Sequence, residues 1–221
     1  YHVPFSYIEN CRIEDEVFAD GVRKFLAVAT MVKNFKDLRI TQIGSRLNPF
    51  KIVMANELEL TEKFGFNLQT VNMAQFKDRF EKTVNAKGDL IDNVVQKIKE
   101  QYDIGITDEE TLKKLAALVY VYIGIFEDTD ADILTTECWS AMPLAGGVTP
   151  CLAMSILADM GYMVTCEYDV HGAVSNVLLS CATRGTIAPL FGEFTVKHPE
   201  NRNAELLWHC GPFAYSMKAK N

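Results

Sequence analysis

The sequence contains no window of roughly 18 apolar residues, the length a membrane helix needs. Its longest apolar stretch, Leu115 to Phe126, is too short and includes two tyrosines. Long Lys/Arg runs are missing as well. The 221 residues hold 22 Lys and Arg against 29 Asp and Glu, a net charge of −7. Phosphate binding needs a basic stripe, so neither nucleic acid nor membrane is an expected partner. The six cysteines are scattered through apolar segments with no C-x-x-C spacing. That excludes a small disulfide scaffold and weakens a thiolate zinc site. Reduced, mostly buried thiols in a cytoplasmic protein are the expectation. No phosphate-loop motif surrounds Gly146-Gly147, and there is no internal repeat or low-complexity linker. The chain begins with Tyr1 rather than Met, without the charged start and apolar run of a signal peptide. A fragment or a processed chain is the expectation.

What is present is 48% hydrophobic residues, enough for one large core or two lobes. From Glu14 to Asn34, Phe18, Val22, Phe25, Leu26, Ala29 and Val32 fall on one helical face. Glu14, Asp15 and Glu16 at its start and Lys33 at its end suit the helix dipole. Leu38–Ile43 reads as a strand leading into a Gly44-Ser45-Arg46 loop. Pro49–Phe64 reads as a helix stopped by Gly65, and Phe66–Val71 as a second strand. Met73–Gln101 is polar and helical, broken at Lys87-Gly88. Thr107-Asp108-Glu109-Glu110 is a capping box for a helix to about Phe126. Leu112, Leu115, Val119, Tyr122 and Phe126 form its buried stripe. Asp132–Thr136 reads as a buried strand, and Thr149-Pro150 opens a helix ending at Met160-Gly161. Met163–Glu167 is a strand, followed by a helix from about Asp169 to Arg184.

This alternation predicts an α/β fold, an open parallel sheet of Rossmann-like kind with helices on both faces. It covers residues 1–185. From 186 to 221 the pattern changes. Pro189–Val196 and Ala204–Cys210 read as two strands around a polar turn, beginning a β-rich second domain.

Three ionisable residues stand out. Glu167 ends a predicted parallel strand, and ligands of open α/β sheets bind beyond the carboxyl ends of the strands. Glu137 and the Ser45-Arg46 loop end two other predicted strands and should face the same edge. Glu193 and His209 both lie eight positions from Asn201, the middle of the polar turn. A symmetric hairpin sets them opposite each other, about 5 Å apart at Cβ. That lets a carboxylate and an imidazole reach one metal ion. Cys138, Cys166 and Cys210 are the immediate neighbours of these acids and the histidine. Adjacent residues on a strand point to opposite faces, so either the Glu/His set or the Cys set converges. The cysteines are expected in the core. A strand-end Glu is most often solvated, and a hairpin His most often structural; His2, His171 and His198 have no nameable partner. Asp169 is expected to cap the helix after Glu167.

From Asp132 to Phe213 the chain resembles the L-fucose/L-arabinose isomerase superfamily. The segments TTECWSAM, GGVTPCLAMSILADMG, VTCEYDVHGA, LFGEF and LLWHCG carry the resemblance through their order and spacing. More loosely, RITQIGSR and ELELTEKFGFNLQTV look like the family's middle domain. The resemblance implies a divalent cation, usually manganese, with magnesium or cobalt as alternatives. It is held by two acids and a His, which VTCEYD, LFGEF and LLWHCG place at Glu167, Glu193 and His209. It implies aldose–ketose isomerisation of a monosaccharide through an enediol, with Glu167 and Glu193 as ligands and acid–base groups, in a homo-oligomer. Arg46 and Trp139 could contact the sugar, one by hydrogen bonds and one by stacking. The chain departs from the family in lacking its N-terminal domain and most of its C-terminal domain. A non-catalytic sugar-binding or regulatory module, or a metal hydrolase using the same three residues, are the competing expectations.

Overall fold

The computed structural model describes residues 2–86, 88–105 and 107–219. Four short strands form an all-parallel sheet: β1 (Arg39–Ile43), β2 (Asn67–Val71), β3 (Ile133–Thr136) and β4 (Val164–Thr165), in the order β2-β1-β3-β4. Both faces are covered, as the near-continuous apolar character of the inner strands requires. On one face Ile43, Leu134 and Val164 meet α3 (Met73–Asn85), α4 (Asp89–Gln101), α5 (Glu109–Thr129), α6 (Ala141–Gly146) and α7 (Cys151–Asp159). On the other, Leu38, Ile40 and Ile133 meet α1 (Glu16–Phe35), α2 (Glu57–Phe64) and α8 (Val170–Ala182). The chain winds from β1 outward to β2, then back past β1 to β3. The order therefore reverses between β1 and β3, where α/β folds open a crevice for ligands. No described helix is long and apolar enough to cross a membrane.

α5 is the buried spine. Leu112, Leu115, Val119, Tyr122 and Phe126 are all buried, as the periodicity predicts. Its cap is one residue later than expected. The Asp108 side chain accepts from Thr111 N at 2.8 Å, while the Thr107 hydroxyl donates back to Ile104 O. The Thr111 N–H, and the Thr111 hydroxyl that donates to Asp108 Oδ2 at 3.0 Å, hold the Asp108 carboxyl below its ordinary range. A lowered carboxyl stabilises the fold above its unfolded value and stops doing so as pH falls through the folded one. Asp108→Ala is thus expected to be less stable than wild type at neutral pH, with the gap narrowing in acid, below the ordinary carboxylate range. Urea melts at both pH values check this; a gap of constant size would remove the charge from the account.

Other elements depart from the sequence reading. No residue of α1 is fully buried. It meets α8 through Met31, Phe35 and Asn34, so Phe25, Leu26 and Val32 of the expected core stripe stay exposed. The helix expected over Pro49–Phe64 is split, because Asn56 accepts from Glu59 N and starts α2 there. The expected break at Lys87-Gly88 falls between α3 and α4; Gly88 is the cap of α4, and Lys87 lies outside the described residues. Asp169 occupies the cap position of α8 but makes no side-chain cap bond. The helix α6, with Pro143 inside its first turn, was not expected. Residues 193–197 and 205–208 form the antiparallel pair β5 (Glu193–Lys197) and β6 (Glu205–Trp208), a separate two-stranded sheet whose residues are all exposed. The segment after it docks back on α7: Phe213 N donates to Ser155 Oγ and Tyr215 N to Asp159.

Candidate functional site

The carboxyl edge of the sheet gathers three loops. After β1 comes Gly44-Ser45-Arg46, after β3 Glu137 to Ser140, after β4 Glu167-Tyr168. Glu137 ties the first two together at the topological reversal. Its buried carboxylate accepts from Ser45 N at 2.8 Å, from Ser45 Oγ at 3.1 Å and from Ser140 Oγ at 3.2 Å. Gly44 makes this possible. At φ 88 a side-chain carbon there would stand 2.7 Å from both Cβ and Oε2 of Glu137. The sequence placed Glu137 at this edge but not its role as anchor; the Ser45/Ser140 pair was the available signal, and it needs the fold to be read.

β4 is shorter than expected because the chain turns immediately. Glu167 and Tyr168 both take left-handed conformations, φ 67 and 62. Tyr168 N then donates to Thr136 O at 3.0 Å. Two consecutive non-glycine residues in this region carry backbone strain, which proteins tend to hold at functional sites. The turn leaves Glu167 half-buried. Burial raises its carboxyl; the neighbouring His209 opposes that, and Glu193 and Asp169 add to it.

The hairpin brings Glu193 and His209 together by a different route from the symmetric one. Near the turn Val196 faces Leu206 and Lys197 faces Glu205, as symmetry predicts. Thr195 is an extra residue, a bulge, so Glu193 faces Trp208 instead of His209. A bulge re-aims side chains, and His209 Nδ1 still reaches Glu193 Oε2 at 3.2 Å. The imidazole is buried, with the Phe191 ring edge-on at 4.6 Å. Its Nε2 has no partner and borders the space that a side chain at Gly211 would fill. The structure thus places Glu167, Glu193 and His209 in one charged neighbourhood.

The oxygen, oxygen, imidazole donor set suits a hard divalent cation, and the partnerless buried Nε2 fits one. The direct Glu193–His209 contact does not leave a ready-made cage. Among the described residues no group of three or more His, Cys, Asp and Glu side chains is arranged to hold a metal ion. Holding one would require Glu167 to converge with that pair. The cysteines divide. Cys138 and Cys166 lie in the core, where the Cys166 thiol lowers Cys138, and the contact with Cys138, with burial added, raises Cys166. Cys210 is exposed rather than in the core.

Arg46 and Trp139 lie on adjacent loops of this edge. Arg46 Nη1 donates to Leu47 O at 2.9 Å and Phe50 O at 3.4 Å. Trp139 packs on the Phe50 ring at 5.7 Å yet remains 62% exposed. A cleft of about 590 Å³ lies elsewhere, between residues 4–8 and α1, and contains none of the candidate residues.

The four-stranded parallel sheet with helices on both faces is an open α/β fold, and its acids lie at the carboxyl edge, near the reversal of strand order. No protein-family model matches the chain. Among curated proteins it is similar to sulfoquinovose isomerases. It is 26% identical over 215 residues to that of Priestia megaterium (strain ATCC 12872 / QMB1551), covering 97% of this chain and 47% of the relative. It is 27% identical over 214 residues to that of Alkalicoccus urumqiensis, with 97% and 47% covered. With that of Clostridium sp. (strain MSTE9) the identity is 26% over 216 residues, with 96% and 46% covered. The chain spans about half the length of the curated relatives it matches.

Proposed function

We propose that the chain forms the part of an aldose–ketose isomerase that holds the reacting end of an open-chain sugar. In this reading residues 1–185 are the sugar isomerase's α/β domain, and 186–221 begin its β-rich C-terminal domain. The observation that carries it is the meeting of Glu167, Glu193 and His209, from a strand end and two strands of a hairpin, at the carboxyl edge of the sheet. The similarity along the chain to sulfoquinovose isomerases supports the reaction class.

The reaction moves a proton from C2 of the aldose to C1, and another between the two oxygens. Glu167 takes the C2 proton and returns it to C1. Burial has raised its carboxyl, which brings it closer to a proton carrier's working range. Glu193 exchanges the hydroxyl proton, with His209 Nδ1 holding its carboxylate in place. Trp139 screens the sugar face from water. Glu167, Glu193 and His209 would hold a divalent cation, manganese or its magnesium or cobalt substitutes, which when bound supplies positive charge against the developing enediolate.

The test is manganese calorimetry on wild type and Glu193→Gln, with isomerase assays beside it. Stoichiometric binding in wild type, weakened at least tenfold in the variant together with loss of turnover, is the expected result. Turnover in Glu193→Gln equal to wild type removes Glu193 from the mechanism. A second reading, a non-catalytic sugar-binding module, is favoured by the direct Glu193–His209 contact. It predicts sugar binding that a chelator leaves unchanged.

A further inference from the structure

We propose that α1, with the arm of residues 3–8 that lies against it, is the docking surface for a second copy of this chain, the two α1 helices packing antiparallel about a two-fold axis. This surface lies outside the isomerase reading and does not rest on it.

α1 is a helix of 20 residues, about 30 Å long, in which no residue is fully buried. It meets α8 through Met31, Asn34 and Phe35 and turns a second apolar face outward. On that face Phe18, Gly21, Phe25, Val28 and Val32 alternate at spacings of three and four. This is the seam along which two helices interlock. Phe25, Val28 and Val32 are each more than half exposed. The arm is held where Ile8 packs on Gly21, at which a side-chain carbon would stand 2.5 Å from Ile8 Cγ1. Next to that contact a cleft of about 590 Å³ stays open, walled by Phe5 and Tyr7 of the arm and by Phe25 and Val28 of the helix. Lys24 is the one charged residue lining it among those described, so the cleft suits apolar side chains.

Two observations make a copy of this chain the occupant. The first is charge. The start of α1 is acidic, at Glu14, Asp15 and Glu16, and its end is basic, at Lys33 and Lys36. An antiparallel pair sets acidic start against basic end twice, whereas a parallel pair would set like charges together. The same two-fold brings Val28 opposite Phe25 of the partner subunit and seats that ring in the cleft. The second is area. Phe5, Tyr7 and Phe25 are 87%, 83% and 57% exposed. At roughly 200 Å² per aromatic side chain they offer about 450 Å². Val3, Val17, Val28 and Val32, all more than half exposed, bring the apolar surface to about 700 Å². A standard interface takes roughly 800 Å² from each partner, and the largest apolar patch of an ordinary monomer is roughly 300–600 Å². A seam whose two ends carry opposite charge is complementary to itself.

The test is sedimentation equilibrium of the whole chain. Wild type is expected at twice the chain mass at micromolar concentration. Phe25→Asp puts a charge in the middle of the seam and should weaken the dimer at least about a hundredfold. Its far-UV spectrum should not change, because Phe25 is already exposed in the single chain. Lys33→Glu with Lys36→Glu should weaken the dimer about tenfold, and adding Glu14→Lys with Glu16→Lys should restore it. A wild type that keeps the single-chain mass at hundreds of micromolar overturns the proposal and leaves the stripe to a different partner. A dimer that survives Phe25→Asp overturns it as well, and its loss in Leu207→Asp would place the contact on the exposed hairpin. A dimer that tightens in Lys33→Glu with Lys36→Glu overturns the antiparallel arrangement.

Discussion

Glu167→Gln is expected to lower turnover by roughly a hundred- to ten-thousandfold, the usual contribution of a positioned acid–base group. The substitution keeps the shape and the hydrogen-bonding reach of the side chain and removes its charge and its ability to carry a proton. Its backbone sits at φ 67 in a turn fastened by Tyr168 N to Thr136 O, and neither feature depends on the carboxylate. The fold should therefore be retained, with an unchanged far-UV spectrum and a thermal midpoint near that of wild type. The decisive readout is exchange of solvent deuterium into the sugar at C2. A structural role for Glu167 would slow turnover and leave exchange per turnover intact. A proton-carrying role requires both to be lost together. Full exchange in the glutamine variant would assign the proton transfer elsewhere, with Glu193 the next candidate.

Gly44→Ala is expected to be among the most destabilising single-methyl additions in the chain. Two costs add. The left-handed backbone costs about 1–2 kcal/mol for a residue with a Cβ. Overpacking adds roughly 1–3 kcal/mol, because that carbon would stand 2.7 Å from Glu137 Cβ and Oε2. Gly161 separates the two contributions. It has the same φ of 88 but nothing within 4 Å of the added carbon. Gly161→Ala should therefore show the backbone cost alone, and the difference between the two variants in urea melts isolates the contact with Glu137. Equal losses would mean that Glu137 moves aside at no cost, and then the Ser45 anchor is weaker than its two hydrogen bonds suggest.

Much of this was legible in the chain before any fold was known, and the reason is locality. The α5 stripe from Leu112 to Phe126 has one period and one buried face, so its burial could be read directly. Each parallel strand was found within a residue or two, since short β-branched runs between helices have few alternatives. The placement of Ser45, Glu137 and Glu167 at one edge followed from strand direction alone. What failed was also local in appearance. The α1 stripe looks like a core face, yet α1 packs on α8 through a neighbouring face, and periodicity cannot say which partner a helix will have. The Thr107 cap and the Asp169 cap were reasonable by residue type, but Asp108 competes one residue away for the same helix, and Asp169 lies against Gly172 in the first turn of α8 without making a cap bond.

The sequence by itself determined the order of helices and strands, the parallel sheet and the three residues around which chemistry could be built. These depend on side-chain period, caps and strand polarity, all of which act over a few residues. Only the tertiary structure decided that Thr195 bulges, that His209 nevertheless reaches Glu193, and that Glu137 anchors the Ser45 loop. Those outcomes depend on what segments distant in sequence bring to one place, and a burial or an ion pair is settled by that company rather than by the residue itself.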